Sequence, residues 1–194
     1  TVDSIDVAPG ETVTCTFTNE KLATITLVKN TVGGNAAFDF DATGTGLPAD
    51  IDLTTVAGTA SQTFDNLDPD NTYTISENVP AGWTNASATC DNGDPVTAIT
   101  PNAGEVITCT FENTRDTGTI TILKNVDNNN DGDVTDLGDV VGATDWTWDI
   151  ASGEQNIATG QSRNLVTGNY TITEDVKTDY HIVGWTCTDE TNGS

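Results

Sequence analysis

The chain has 194 residues and a formal net charge of −24, with six lysines and arginines against 30 aspartates and glutamates. Nucleic-acid binding needs clustered basic side chains, so the charge rules against that partner, and it disfavours anionic membrane surfaces, which repel so acidic a chain. With no methionine, no apolar run long enough to span a bilayer and no signal-peptide pattern, the sequence reads as a processed or excised piece of a larger extracellular protein.

Thr, Asn, Asp and Gly are abundant, aromatic residues are few, and nothing reads as a long amphipathic helix. The expected class is all-β. The first predicted element is the strand Thr12-Val-Thr-Cys-Thr-Phe-Thr-Asn19. It returns as Val106-Ile-Thr-Cys-Thr-Phe-Glu-Asn113, placed where a complete domain ends. Residues 1–21 therefore read as the closing strand of a preceding or neighbouring unit. Next comes Ala23-Thr-Ile-Thr-Leu-Val-Lys-Asn30, whose alternation of apolar residues and threonines marks a half-buried strand. Paired aromatics follow at Phe38 and Phe40, then the strand Tyr73-Thr-Ile-Ser-Glu77, then Gly82-Trp83.

The order repeats about 95 positions on: Gly118–Asn125 for the first strand, Trp146 and Trp148 for the aromatics, Tyr170-Thr-Ile-Thr-Glu174, and Gly184-Trp185 set against Gly82-Trp83. Two tandem domains are expected, a complete one over 22–115 and a second over 116–194 that lacks its closing strand. One copy is then an incomplete unit that another copy, or the next tandem repeat, completes head to tail.

Side-chain parity gives candidate site residues. Along each strand alternate positions share a face. Lys29 lies on the face of Ile25 and Leu27, Glu77 on that of Tyr73 and Ile75, and Asn113 on that of Ile107, Cys109 and Phe111. Lys124, Glu174 and Asn19 occupy the same places in the second set, Asn19 sharing its face with Val13, Cys15 and Phe17. Burying any of these polar groups alone costs several kcal/mol, on the order of 2–7 for a neutral group and more for a charge, so each trio should meet in a core.

Cys90 and Cys109 are expected to pair, and Cys187 with Cys15 of another copy, in an oxidising compartment. A zinc site is disfavoured, since His181 is the single histidine and no close cysteine pair exists. Asp127, Asn129, Asp131 and Asp133 alternate around Gly132 as calcium-loop ligands do, with Asp136 and Asp139 flanking the position of the expected bidentate acid. The cofactor expectation is thus calcium, in the second domain only. Glycosylation sequons begin at Asn85, Asn169 and Asn192. No nucleophile triad, phosphate loop or metal-hydrolase pattern is present, and the chain is not expected to be an enzyme.

The strand Ile-Thr-Leu-Val-Lys29, the strand Tyr-Thr-Ile-Ser-Glu77 with Pro80-Ala-Gly-Trp83 after it, and the closing strand ending in Asn113 resemble the Cna B-type, SpaA-like domains of microbial surface proteins and pilins. The resemblance covers most of the chain and implies Ig-like, prealbumin-like β-sandwiches. It also implies isopeptide bonds joining Lys29 to Asn113 with Glu77 assisting, and Lys124 to Asn19 of another unit with Glu174 assisting. Lys177 departs from the pattern where the first domain has Pro80, and the closing-strand cysteines are not typical of the family. The function this implies is a structural subunit or tandem repeat of an extracellular filament, whose partner is itself. The alternative is a surface adhesin that binds a host or cell-surface ligand.

Overall fold

The computed structural model describes residues 4–134, 139–151, 154–175 and 177–188. Regular structure among these residues is strand and turn, with no helix, so no helix is long and apolar enough to cross a membrane. The chain divides into two compact units, Thr1–Arg115 and Asp116–Ser194.

The first unit contains β1 (Ala23–Val32), β2 (Ala37–Thr43), β3 (Asp50–Thr54), β4 (Thr59–Leu67), β5 (Thr74–Asn78), β6 (Trp83–Cys90) and β7 (Val106–Arg115). They form two sheets, one ordered β4-β1-β7-β6 and the other β3-β2-β5. β1 and β7 run parallel, and the other pairs are antiparallel. Strict alternation along β1 and β7 buries Ala23, Ile25, Leu27 and Lys29 from one strand, and Ile107, Cys109, Phe111 and Asn113 from the other. These meet Phe38, Phe40, Ile51, Leu53, Tyr73 and Ile75 of the facing sheet in a single core. Each such Ile, Leu or Phe contributes about 1.5–3 kcal/mol relative to exposure. The chain passes between the sheets through Val56-Ala57-Gly58-Thr59. There Ala57 and Gly58 both take positive φ, and Val56 and Thr59 exchange backbone hydrogen bonds, as in a two-residue hairpin loop. Gly44 (φ 124°) lies so close to the Tyr73 ring that a Cβ there would come within 2.3 Å of it.

The second unit contains β8 (Thr117–Thr121), β9 (Asn125–Val126), β10 (Val140–Val141), β11 (Thr147–Ile150), β12 (Glu154–Ala158), β13 (Ser162–Val166) and β14 (Ile172–Glu174). The sheet β12-β11-β14 repeats β3-β2-β5, and the pair β13-β8 repeats β4-β1. β9 and β10 pair with each other at the base of the Asp/Asn-rich loop, which has no counterpart in the first unit.

Residues 11–19 differ from their sequence pattern, which reads as strand. They lie outside every strand and are exposed, Phe17 at 72 %. A strand exists through its ladder to a neighbour, and these residues have none among the described residues.

Candidate functional site

In the first unit Lys29, Glu77 and Asn113 converge. β1 and β7 are parallel neighbours and β5 faces them from the second sheet, so the inward parity of all three strands delivers their last buried polar groups to one place. Lys29 Nζ lies 2.8 Å from Glu77 Oε1, with the two side chains 0 % and 2 % exposed. Asn113 Nδ2 donates to the same Oε1 at 2.7 Å, which puts the two nitrogens within two hydrogen-bond lengths of each other. Two buried atoms are left over. Lys29 Nζ sits at ion-pair distance but off hydrogen-bond geometry, and Asn113 Oδ1 has no donor at all. Burial holds the Lys29 amine below its ordinary pKa of 10.5, against the opposing pull of the Glu77 carboxylate. Its ammonium also lies 4.4 Å from the centroid of Phe38, which meets Trp83 edge to face.

This arrangement can do acyl chemistry. Passing one proton from Lys29 to Glu77 gives a neutral amine and a neutral acid with no net change in charge. Half a turn of the Asn113 amide brings the orphaned Oδ1 to that acid, which then donates to it and polarises the carbonyl. The amine nitrogen attacks Cγ, the Cγ–Nδ2 bond breaks, and ammonia leaves with the amine's spare proton.

One participant was not legible in the sequence. Asn85 of β6 lies directly across from Asn113 and donates from Nδ2 to Glu77 Oε2 at 2.7 Å. Each oxygen of the Glu77 carboxyl therefore holds one asparagine amide. The register slips by one between Asn85 and Ser87, so parity counting along β6 does not aim Asn85 correctly.

The second unit holds two-thirds of the same site. Lys124 Nζ lies 2.9 Å from Glu174 Oε1, and 4.4 Å from the centroid of Trp146. Trp146 meets Tyr180 edge to face, as Phe38 meets Trp83. Glu174 Oε1 is buried without a hydrogen-bond partner. Asn19, expected as the third member, is exposed in the segment outside the sheets. Tyr180, not Trp185, thus occupies the place of Trp83. The spacing agrees, since Tyr180 and Cys187 follow Glu174 by the same intervals as Trp83 and Cys90 follow Glu77. The Gly-Trp match at 184–185 is a coincidence of dipeptides.

Cys90 and Cys109 form a disulfide across β6 and β7, while Cys15 and Cys187 are free and exposed. In the Asp/Asn loop, Asp127 accepts from the amides of Asn130 and Gly132, Asn129 from Asp131, and Asp131 from Asp133. Asp139 Oδ1 accepts from Asn128, and its Oδ2 is buried with no hydrogen-bond partner, as suits a carboxylate that completes a cation's shell. Asp136 and Asn192 lie outside the described residues. Asn169 is exposed.

Comparison with known families and structures gives three findings. A SpaA-type prealbumin-like fold domain matches residues 25–115, and a second such domain model matches residues 116–194. Among solved structures, the chain is similar to the Bacillus anthracis TIE protein, with 18 % identity and a TM-score of 0.44 over 81 % of this chain, which spans 29 % of that one. It is also similar to the major pilin protein T-13 of Streptococcus pyogenes, with 13 % identity and a TM-score of 0.38 over 84 % of both chains. A comparison with curated proteins found no match.

Proposed function

The chain belongs to the SpaA-type prealbumin-like fold domains, and from that premise we propose that it is a structural segment of an extracellular, pilus-type fibre. Its copies, as separate subunits or tandem repeats, join head to tail, and its domains are pinned from within by covalent bonds. The observation that carries this reading is the burial of Lys29, Glu77 and Asn113 around one carboxylate oxygen, with the amine and the amide carbonyl both lacking hydrogen bonds. Leaving two such groups unsatisfied costs about 1–3 kcal/mol each. A Lys29–Asn113 amide relieves that cost, turning the amine into an N–H beside a carboxyl oxygen. Together with the Cys90–Cys109 bond it ties β7 to both β1 and β6, the strands on either side of it. A fibre gains resistance to tension, heat and proteases from such ties, and its acidic surface keeps it solvated. Calcium in the Asp127–Asp139 loop is part of the proposal for the second domain, with Asp139 Oδ2 supporting it.

The test is the intact mass of the reduced chain. The expected result is a loss of about 17 Da, the ammonia released per bond, with a branched Lys29–Asn113 peptide on digestion. Glu77→Ala should restore the full mass in a chain that still forms the Cys90–Cys109 disulfide. An unchanged wild-type mass would leave a hydrogen-bonded cluster and overturn the covalent reading.

A further inference from the structure

We infer that the Cys90–Cys109 disulfide is a redox gate on the Lys29–Asn113 cross-link. It holds β6 where Asn85 meets Glu77, and the ammonia-releasing step runs at full rate only once it has closed. The inference deepens the cross-linking reading above and rests on it.

The two sites share one ladder. Where β6 pairs with β7, Cys90 stands opposite Cys109 and Asn85 opposite Asn113. On β7, Cys109 and Asn113 lie four positions apart and are both fully buried, so one strand face carries the disulfide and the acyl carbon. β7 itself stays in place without a disulfide. It lies between β1 and β6, and alternate side chains along it enter the core. Lys29, Glu77 and Asn113 are thus held by β1, β5 and β7 whatever the state of the cysteines.

β6 differs. It is an edge strand whose only neighbour is β7. Of its eight residues only the first and the last, Trp83 and Cys90, are buried. Trp83 is held by its edge-to-face contact with Phe38. Between the two anchors Thr84, Asn85, Ala86 and Ser87 are exposed, and the register slips by one between Asn85 and Ser87. A segment with one ladder and no buried side chain opens at low cost, and the slip removes the parity that would otherwise fix it. Beyond Cys90, Asp91 exchanges two hydrogen bonds with Thr108, but Asp91 is exposed and water competes for both. The disulfide is what pins this end of β6.

What β6 delivers is Asn85. Its Nδ2 donates to Glu77 Oε2 at 2.7 Å, while Oε1 serves Lys29 and Asn113. With the cysteines reduced, β6 keeps a side-chain anchor only at Trp83. Asn85 then leaves Glu77 for part of the time, and the carboxyl is free to turn away from the amine. Closing the gate passes two electrons and two protons from the two thiols to a low-molecular-weight disulfide such as oxidised glutathione, which leaves as two thiols. Lys29 Nζ then attacks Asn113 Cγ, the Cγ–Nδ2 bond breaks, and ammonia leaves. The amide, unlike the disulfide, is not undone by reduction, so the gate acts once. That order suits a chain made in a reducing compartment and used in an oxidising one.

The experiment follows ammonia loss in full-length chains made by cell-free translation, one batch with dithiothreitol and one with oxidised glutathione. Samples taken over time are fully reduced and read by intact mass. The oxidised batch should lose ammonia faster by up to about tenfold, the kinetic equivalent of one hydrogen bond to a charged group. Asn85→Ala should lose it at one slow rate in both batches, because it removes what the gate moves. Cys90→Ala with Cys109→Ala should match the reduced wild type in either batch, and Cys15→Ala with Cys187→Ala should keep the gate. Amide exchange is read in Lys29→Met, which cannot cross-link: residues 84–89 should exchange faster when reduced, and residues 24–29 at an unchanged rate. One rate in both wild-type batches sinks the gate and leaves the cross-link standing. So does an equal effect of reduction in Asn85→Ala, or faster exchange at 24–29 on reduction, since either makes the disulfide a general stabiliser. No ammonia loss in any chain sinks the cross-linking reading itself, and the gate with it.

Discussion

Asn85 holds one oxygen of the Glu77 carboxyl while the other faces both Lys29 and Asn113. A carboxyl fixed on one side cannot rotate away from the proton it must exchange, so in the proposed cross-linking Asn85 would be a positioning residue for the ammonia-releasing step. Asn85→Ala should slow cross-linking in chains refolded from denaturant by roughly tenfold, the kinetic equivalent of one hydrogen bond to a charged group. Asn85→Gln should restore part of the rate. Equal rates for wild type and Asn85→Ala, followed by the mass loss over time, would reduce Asn85 to a surface residue. The second unit has Ile182 at the corresponding place, thirteen minus five positions after Glu174 as Asn85 is after Glu77, so its carboxyl lacks this support.

The outer face of β2 and β3 sets acid against acid: Asp39 pairs with Asp52 and Asp41 with Asp50 in register. Like charges across a ladder oppose pairing. A hydrogen bond to Asp39, then its charge, raise the Asp50 carboxyl above its ordinary range. The folded chain therefore holds that proton more tightly than the unfolded chain does. Asp50 favours folding below its raised pKa, and that contribution is lost as pH rises through it. Asp50→Asn should accordingly raise the melting temperature at pH 7 and change little near pH 3, where the wild-type group is already protonated. A gain of equal size at both values would point to a cause other than charge. In the second unit the distinctive element is the Asp127–Asp139 loop at the base of β9 and β10. Calorimetry of the full chain should show the transition of that unit rise with calcium and fall with chelator, while the transition of the first unit stays put. Identical transitions in both conditions would mark a metal-free turn.

These elements also show what the sequence could and could not convey. The alternation of β1, β5 and β7 was legible because one face of each is buried, and it placed Lys29, Glu77 and Asn113 together without reference to any contact. Asn85 was hidden by the register slip in β6. The pairing of Trp83 with Tyr180 was hidden by a more conspicuous Gly-Trp at 184–185, and it took the matched edge-to-face contacts to reveal it. Residues 11–19 have a strand pattern and lie outside every strand, because pattern supplies only propensity. The ladder depends on a partner that propensity does not contain.

At the scale of the whole molecule, one number governs how copies meet. Each carries a formal charge of −24, so two approaching chains repel over a distance set by ionic strength. The link between copies expected from the sequence is a Cys15–Cys187 disulfide, and both thiols are free and exposed. Salt screens the repulsion and leaves a covalent bond untouched, so it should act on the rate of encounter and hardly at all on the stability of the link once made. Formation of the Cys15–Cys187 link, followed on non-reducing gels, should accelerate as sodium chloride rises from about 10 mM to about 150 mM, where the screening length shrinks from about 30 Å to about 8 Å. Millimolar calcium should accelerate it further, since a divalent ion in the acidic loop also lowers the charge of the second unit. Links formed at either salt concentration should then dissociate at the same rate on reduction. A link that forms more slowly as salt rises would mean that the few basic residues, not screening of the acidic majority, direct the encounter.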